Sequence, residues 1–412
     1  MYWSKLSHSE IIDQIETALG NNLSYKTEKI LGVPASYLDE EQFYDDAPFL
    51  ENSPFLKTLI ANPNHIGCHT LGEVTEPFFK GTQKIEKDLI DLCAEQILDG
   101  EKEAQDGYVA PGGTEANIQA IWIYRNYYIK ELNAKTEEIA VVYSKDSHYS
   151  MPKAANILNI KSIVLDVDDA TRMIVQDDLE QKIEQAQKNG VKYFILVMNM
   201  STTMFGSVDD IIRVTDYLEK AQLNYKTHVD GAFGGFIYPF TNKESSYSFK
   251  NERISSFTLD GHKMLQSPYG TGVFIVRKGF MKYALTKEAS YVQGKDYTIC
   301  GSRSGANAVA LWMILKTHGS DGLKVKMRNL SDKAKTLCNQ LSKIGVEHYR
   351  NPYLNIITIR GKYITPALAK KYALVPDVHG NQPNWYKIVV MDHVKQGVLD
   401  AFFNELKSGV NI

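Results

Sequence analysis

Short apolar runs rich in β-branched and aromatic residues recur through the middle of the chain and alternate with amphipathic stretches. The apolar runs lie at Ile139–Tyr143, Tyr193–Met198, His228–Val229, Ile254–Leu259 and Gly272–Val276. Helix-type spacing of apolar residues occurs between them, as at Asp177–Lys188 and Val208–Ala221. Apolar strands separated by helices are typical of a mostly parallel sheet covered on both faces. The pattern therefore predicts an α/β fold for this part of the chain.

The two ends of the chain carry different patterns. The first 70 residues are rich in Asn, Pro and Tyr, with one short amphipathic stretch at Ser9–Leu19. From about Cys300 onward, helical patterns at Ala306–Lys316 and Leu330–Ile344 precede a strand-like run at Leu354–Ile359 and a final helix. We predict an N-terminal segment over 1–70, a large α/β domain over 71–290 and a smaller α+β C-terminal domain over 291–412.

Composition and charge narrow the function classes. The chain has 412 residues, is 43% hydrophobic and carries a formal net charge of −3, with its basic residues scattered. Nucleic acid and anionic membranes are therefore poor partners. The cysteines form no C-x-x-C pair, which argues against a disulfide scaffold or a structural zinc site. No apolar run is long enough to span a bilayer and no secretory signal is visible, so we expect a cytoplasmic protein.

The first of four segments with candidate chemistry begins at Gly112. Gly112 and Gly113 let the backbone approach a ligand closely, and Thr114 is a candidate cap for a helix that begins at Glu115. The N-terminus of that helix would attract an anion such as phosphate. Taken alone, the motif is more often a plain capped turn.

The second and third segments follow predicted strands. His148, in Ser147–Ser150, comes after one strand, and Asp230 ends another, where α/β sheets place ligands. Ala232, with two glycines after it, leaves space for a planar ring beside Asp230. In isolation, a surface-loop histidine and a turn-forming Asp-Gly pair are the commoner interpretations.

The fourth segment contains Lys263, flanked by apolar Leu259, Met264 and Leu265. Partial desolvation there would lower the pKa of the lysine and favour the neutral amine that forms a Schiff base. Pyridoxal phosphate requires a phosphate cradle, a ring-stacking histidine, an aspartate for the pyridinium nitrogen and a lysine. The four segments provide these groups in sequence order, so together they predict a pyridoxal 5'-phosphate site.

These residues resemble the motifs of the group II pyridoxal-phosphate decarboxylases, relatives of bacterial histidine decarboxylase and the archaeal tyrosine/aspartate decarboxylases. The similar stretches cover most of the chain: GGTEAN at 112–117, SHYSMPKAA at 147–155, STTMFGSVDDI at 201–211, HVDGAFGGF at 228–236, DGHKM at 260–264, DYTICGSRSG at 296–305 and YKIVVMDHV at 386–394. A histidine directly before the cofactor lysine is characteristic of that group. The resemblance implies the type I pyridoxal-phosphate fold, a homodimer with shared active sites, and decarboxylation of an L-amino acid.

The resemblance also implies roles for individual residues. The cofactor-contacting residues are Gly113, Thr114 and His262 near the phosphate, with Gly112 preceding them, Thr202 near the ring hydroxyl, Asn199, His148 and Ala232 against the ring, and Ser302 approaching from the partner subunit. Lys263, His148 and Asp230 are expected to be catalytic. Tyr291 lies where the family has an active-site loop and is the candidate proton donor to the carbanion carbon.

Several features leave the substrate and the reaction open. Asp260 stands where many members carry a neutral residue that binds phosphate, so it is left out of the phosphate set. The stretch around His65 and His69 differs from the form expected for the family's substrate-side segment. The alternatives are a carbon–carbon lyase or a decarboxylation-dependent oxidative deaminase, a non-catalytic cofactor-binding protein, and a metal site at His65, Cys68 and His69.

Overall fold

The computed structural model describes residues 80–243, 245–285, 295–380 and 382–409, together with 29–32 and a few isolated positions before residue 67. Most of the predicted helix at Ser9–Leu19 lies outside these residues, as do Cys68, His69, Tyr291 and nearly all of the 1–70 segment. Those assignments stay predictions. No helix in the described ranges is long and apolar enough to cross a membrane.

The described strands and helices alternate along most of the chain. The strands are β1 (His65–Ile66), β2 (Gln105–Ala110), β3 (Ile139–Ser144), β4 (Lys161–Leu165), β5 (Tyr193–Asn199), β6 (Asn224–Gly231), β7 (Ile254–Asp260), β8 (Gly272–Arg277), β9 (Ser302–Arg303), β10 (His348–Tyr349), β11 (Ile356–Arg360), β12 (Val375–Pro376) and β13 (Trp385–Val389). The α-helices are α1 (Lys80–Asp91), α2 (Gly113–Leu132), α3 (Ser150–Leu158), α4 (Gln176–Lys188), α5 (Ile211–Lys220), α6 (Tyr238–Thr241), α7 (Gly261–Met264), α8 (Gly305–Lys343), α9 (Pro366–Lys371) and α10 (Gln396–Gly409).

Seven strands form one large sheet in the order β2-β8-β7-β6-β5-β3-β4. The five strands from β7 to β4 in that order pair in parallel, whereas β8 is antiparallel to both β7 and β2. β2 therefore points in the same direction as the parallel strands. The carboxyl ends of all these strands except β8 lie along one edge of the sheet, which confirms the predicted α/β fold class.

The central strands are apolar throughout because both of their faces are buried. In β5, Ile195 and Val197 enter one hydrophobic core with α2, whereas Phe194, Leu196 and Met198 enter the core on the opposite face. Neither face offers water to a polar side chain, so the strand shows no alternation. The predicted strand runs correspond to β3, β5, β6, β7 and β8, each longer by one or more residues.

A smaller antiparallel sheet, in the order β10-β11-β13-β12, packs with α10 and the second half of α8. The two helices predicted between 306 and 344 are parts of α8, which has a break in helical geometry at Gly319. The first half of α8 contributes Leu311 and Ile314 to a core of the large sheet, and the second half contributes Leu337 and Leu341 to the smaller core. One helix thus joins both cores, and the domain limits stay predictions.

Candidate active site

Polar side chains gather at the edge of the large sheet where the parallel strands end. Asp230 is the second-last residue of β6, Asn199 ends β5, and Asp260 ends β7 three residues before Lys263. A cavity of about 540 Å³ lies against this edge. Ligands of open α/β sheets bind outside the carboxyl ends of strands, so this cavity is the candidate active site.

The cavity brings together the predicted site residues of the described chain, with one exception. The lining includes Gly112, Gly113, Thr114, His148, Asn199, Thr202, Asp230, Ala232, His262 and Lys263. Ser302 is exposed and does not line the cavity, so its predicted contact depends on a second subunit. Tyr291 lies outside the described residues. The geometry places these residues side by side, and their individual roles stay predictions.

Asp230 is a buried carboxylate held by two hydrogen-bond donors. Asn117 Nδ2 donates to Asp230 Oδ2 at 2.9 Å, and the backbone N–H of Ala232 donates to Oδ1 at 3.1 Å. Only 6% of Asp230 is exposed. Each carboxylate oxygen can accept a further hydrogen bond, so Asp230 has the capacity to bind a protonated ring nitrogen.

Lys263 lies in the short helix α7 and its amine is next to a carboxylate. Lys263 Nζ is 3.2 Å from Asp260 Oδ2, and 26% of the lysine side chain is exposed. Met264 and Leu265 instead enter the core beneath the sheet. The predicted apolar surroundings of the amine are therefore only partly present, because residues next to each other in α7 point in different directions.

The helix that follows the predicted phosphate cradle begins two residues earlier than predicted. α2 starts at Gly113, with Gly112 as its N-cap and no side-chain cap, so the expected capping role of Thr114 is wrong. A Cβ atom on Gly113 would lie 2.8 Å from Asp260 Oδ2 and 3.1 Å from the Ala232 Cβ. Glycine therefore lets the first turn of α2 approach β7 closely, and it leaves the unpaired N–H groups of that turn beside the cavity.

His148 is held in a neutral form above the cavity. The backbone N–H of Ser150 donates to His148 Nδ1 at 3.2 Å, and Ser150 Oγ is 2.9 Å from the same atom. Burial lowers the pKa of His148 against the opposing effect of Asp230, and the charge of Lys263 adds to the lowering. An uncharged imidazole can stack on a planar ring without bringing a second cation to it.

Asn199 and Thr202 line the cavity with their polar groups already engaged. Asn199 Nδ2 is 2.7 Å from Asp209 Oδ2 and 2.9 Å from Ser147 Oγ, and Thr202 Oγ1 is 2.7 Å from Ser207 Oγ. Burial raises the pKa of Asp209 to about 7. The two predicted cofactor contacts therefore depend on Ser147, Ser207 and Asp209, which lie inside the sequence motifs but were not assigned individual roles.

Other cavity residues were also missed from the sequence. Asn117 lies one helical turn after Gly113, on the same face of α2, and this spacing is a signal that could have identified it. Tyr269 stacks on His262 with ring centroids 4.8 Å apart. Behind the cavity, Lys387 Nζ donates to the carbonyl of Thr203 at 3.2 Å. Burial, and secondly the charge of Lys263, lowers the pKa of Lys387 to about 8.

Arg303 does not reach this cavity as a free cation. Its guanidinium pairs with Glu86, with Nη2 3.2 Å from Oε2, and Nη1 donates to the Val109 carbonyl at 3.0 Å. β9, which contains Arg303, pairs with the backbone of β1. Within the described residues no cluster of His, Cys, Asp and Glu has metal-binding geometry.

The residues present fit pyridoxal phosphate. Asp230 offers a buried carboxylate to a ring nitrogen, Ala232 and His148 both line the cavity, and Lys263 offers an amine. The close approach at Gly113 leaves no room for a side chain where backbone N–H groups would face a phosphate. These are the separate groups that this cofactor requires.

Comparison with known proteins gives the same chemistry. A family model described as the pyridoxal-dependent decarboxylase conserved domain matches residues 64–351. The chain is 48% identical to the tryptophan decarboxylase of Clostridium sporogenes over 406 residues, which are 98% of this chain and 97% of that protein. It is 30% identical to the L-aspartate decarboxylase of Thermococcus kodakarensis over 411 residues, 97% of each chain. The sphingosine-1-phosphate lyase structure from Burkholderia pseudomallei matches with a TM-score of 0.80 at 16% identity, covering 99% and 92% of the two chains, a likeness of fold.

Proposed function

The chain belongs to the pyridoxal-dependent decarboxylase family, and we propose that the amino acid it decarboxylates is aromatic, with L-tryptophan as the first candidate. The reaction replaces the α-carboxylate by a proton and releases carbon dioxide and an amine, so the enzyme is a carbon–carbon lyase. Pyridoxal 5'-phosphate is its cofactor. The relatives favour this reaction over the other lyase and deaminase alternatives and over a non-catalytic protein.

The proposed roles follow from where each side chain lies. Bound pyridoxal phosphate supplies an electron sink for the electrons of the breaking Cα–carboxylate bond. Asp230 keeps the proton on the ring nitrogen, and His148 and Ala232 hold the ring between them. Lys263 binds the cofactor aldehyde covalently, and the N–H groups of the first turn of α2 bind its phosphate, beginning at Gly113.

The mouth of the cavity supports an aromatic substrate. Ile118 lines it, and Tyr149, Tyr269 and Ile299 add large apolar surfaces that are exposed in the single chain. Such surfaces suit an indole or phenyl ring, since aromatic side chains gain from stacking and from burial. The cavity therefore offers an apolar entrance above the polar cofactor groups.

The charges of the cavity lining oppose an acidic substrate. Among the described lining residues Lys263 is the only lysine or arginine, and it is reserved for the cofactor, whereas Glu115, Asp230 and Asp260 are carboxylic acids. Arg303, the nearest sequence candidate for binding a substrate side-chain carboxylate, pairs with Glu86. Within the described lining, a second side-chain carboxylate would meet repulsion without a matching cation. This shortage of cations among the described lining residues is the observation that carries the proposal.

The test is carbon dioxide release by the cofactor-loaded enzyme across a panel of L-tryptophan, L-tyrosine, L-phenylalanine, L-histidine, L-methionine, L-aspartate and L-glutamate. We expect the highest kcat/KM with an aromatic amino acid, together with formation of the matching amine. The Lys263→Ala variant is the control for background release. A higher kcat/KM for aspartate or glutamate than for every aromatic amino acid would contradict the proposed specificity and leave the decarboxylase assignment in place.

We also propose that the enzyme works in the cytoplasm as a homodimer that completes each cavity with residues of the partner. The free thiols of Cys93, Cys300 and Cys338 support a reducing compartment. Exposed Ser302, in a motif implied to approach the cofactor, supports the shared site. Light scattering should give the mass of two chains. Mixing inactive Lys263→Ala subunits with Ser302→Trp subunits should restore activity if each cavity takes its lysine from one subunit and Ser302 from the other.

The proton donor to Cα belongs to the same proposal. Tyr291 is assigned this step by resemblance, and it lies outside the described residues. Tyr291→Phe should lower amine formation or divert flux into side products while leaving cofactor binding unchanged. Wild-type kinetics in that variant would remove Tyr291 from the reaction.

A further inference from the structure

A buried chain of hydrogen bonds lies behind Asp230. Tyr124 OH is 2.5 Å from Ser256 Oγ, which is 2.7 Å from His228 Nδ1. His228 Nε2 is 2.9 Å from Asn117 Oδ1, and Asn117 Nδ2 is 2.9 Å from Asp230 Oδ2. Every residue of this chain is at most 6% exposed. No step of the proposed reaction uses its first four members.

The donors in this chain can be ordered from one end to the other. Tyr124 donates its proton to Ser256 Oγ, so the Ser256 hydroxyl can donate to His228 Nδ1. Nδ1 is then an acceptor, and the proton of the neutral imidazole is on Nε2. Burial lowers the pKa of His228 to about 4 against the opposing effect of Asp230, so the imidazole is neutral.

The His228 tautomer fixes which way the Asn117 amide faces. His228 Nε2–H donates to Asn117 Oδ1 at 2.9 Å, with Thr258 Oγ1 a more distant neighbour at 3.2 Å. The amide oxygen must therefore face His228, and the amide nitrogen must face Asp230. An inverted amide would place its oxygen against a carboxylate oxygen, which is repulsive.

A second branch leaves the same amide nitrogen. Asn117 Nδ2 is 3.1 Å from Ser150 Oγ, and the Ser150 hydroxyl is 2.9 Å from His148 Nδ1. A backbone N–H can only donate, and that of Ser150 points at His148 Nδ1 as well. His148 Nδ1 is thus an acceptor on two counts, which leaves the imidazole proton on Nε2.

We propose that Asn117 is a positioning residue whose amide, oriented by His228, holds the Asp230 side chain in place beneath the cofactor ring and, through Ser150, orients His148 above it. One side chain thereby positions groups on both faces of the ring. The inference rests on the proposed contacts of Asp230 and His148 with pyridoxal phosphate. Asn117 touches neither substrate nor cofactor in this role and acts through the two residues that do.

The test measures the protonation of the cofactor directly. Wild-type enzyme and variants are loaded with pyridoxal phosphate labelled with ¹⁵N in the ring, and the ¹⁵N chemical shift is followed with pH in the absence of substrate. In Asn117→Leu, which keeps the side-chain size, Asp230 loses the donor that positions it against the ring nitrogen. The midpoint of the ring-nitrogen titration should then fall by about one pH unit, because a misplaced carboxylate stabilises the protonated ring less. The kcat should fall about tenfold with little change in KM.

Three further variants separate the possible outcomes. Asp230→Asn is the reference, because it removes the proposed charge partner of the ring nitrogen and must move the midpoint further than Asn117→Leu does. Asn126→Leu is the matched control, since it removes an amide hydrogen bond to the Tyr283 carbonyl from the same helix, away from the cavity. Asn126→Leu should leave the midpoint at the wild-type value. His228→Leu should shift it in the same direction as Asn117→Leu and serves if Asn117→Leu does not fold.

Each result then has one meaning. Shifts in Asp230→Asn and Asn117→Leu, with none in Asn126→Leu, support the positioning role. A shift in Asp230→Asn with none in folded Asn117→Leu and His228→Leu overturns the inference and leaves the role of Asp230 intact. No shift in any variant, Asp230→Asn included, overturns the proposed contact of Asp230 with the ring and the inference with it.

Discussion

Two ion pairs, Arg303–Glu86 and Lys263–Asp260, differ in their burial and in the hydrogen bonds that the protein gives them. Arg303 and Glu86 lie in the core beside β2, where their side chains are 4% and 1% exposed. Glu86 also accepts the Val109 N–H at 2.7 Å, and Arg303 donates to the Val109 carbonyl. At the cavity, Lys263 is 26% exposed and approaches one oxygen of Asp260, while Asp260 Oδ1 has no hydrogen-bond partner within the described chain.

The difference separates structural charge from reactive charge. A buried guanidinium with several acceptors cannot leave them without a large desolvation cost, so it holds β9 against α1 and β2. A lysine with one contact at the edge of a cavity can exchange that contact for a ligand. Similar pairs of charged groups therefore stabilise the fold at Arg303–Glu86 and remain available for chemistry at Lys263–Asp260.

The largest expected effect is on activity, from Lys263→Ala. Removing the amine should abolish measurable carbon dioxide release, because no neighbouring lysine lines the described cavity. Thermal unfolding should stay close to wild type, since the pair with Asp260 is partly exposed. Activity assays and calorimetry on the same preparation check both halves. Substantial residual turnover would refute the assignment of Lys263.

Breaking the Arg303–Glu86 pair should instead have its largest effect on stability. Glu86→Ala leaves Arg303 buried without its carboxylate, which should lower the free energy of unfolding by about 3–5 kcal/mol. The double variant Glu86→Leu with Arg303→Met should recover most of that loss, because it removes both charges together. Urea unfolding of the two variants provides the comparison. A loss below about 1 kcal/mol in Glu86→Ala would show that the pair contributes little to stability.

Sequence patterns anticipated the sheet and the first layer of the site because both leave local signals. Strands buried on two faces appear as apolar runs, and Asp230 and Lys263 come one and four residues after such runs. β2 was missed because Gly107 interrupts its apolar pattern. Glycine is needed at this position, since a Cβ would lie 2.1 Å from the Phe274 carbonyl oxygen. β4 was missed because it is a sheet edge with exposed Lys161 and Ser162.

The supporting residues could not be predicted in the same way. Asn117 meets Asp230 across 113 residues of sequence, and the meeting depends on how α2 packs over the sheet. Asn199 lies opposite Asp230 because of the register between β5 and β6. Polar residues inside apolar elements gain their partners only in the tertiary structure. A linear pattern can indicate the position of such a residue, as the spacing from Gly113 does for Asn117, but it does not identify the partners.

Asp209 provides an intermediate case between the two pairs. Asn199 donates to its Oδ2 through both backbone and side chain, whereas Oδ1 has no hydrogen-bond partner among the described residues. Its pKa is about 7, above the ordinary value of 3.8, mainly through burial. The folded protein therefore holds this proton more tightly than the unfolded chain between about pH 4 and pH 7, and stability falls as pH rises through that range.

Asp209→Asn should remove this loss of stability. From pH 5 to pH 8, the free energy of unfolding of the variant relative to wild type should rise by about 2 kcal/mol. Urea unfolding at the two pH values measures it, with Asp177→Asn, on the surface helix α4, as a control for general charge effects. A difference that does not change with pH would show that Asp209 is ionised throughout.

The smallest expected effect concerns Asp260, whose Oδ1 has no hydrogen-bond partner among the described residues. Asp260 lies beside Gly113, where the cofactor phosphate is proposed to bind, so its charge should oppose that phosphate. Asp260→Asn should tighten pyridoxal phosphate binding about fivefold, as expected for removing a repulsion of about 1 kcal/mol. Pyridoxal, which lacks the phosphate, should bind with unchanged affinity. Equal tightening of both ligands would instead mean that Asp260 acts through Lys263, because freeing the amine from its carboxylate would help any aldehyde.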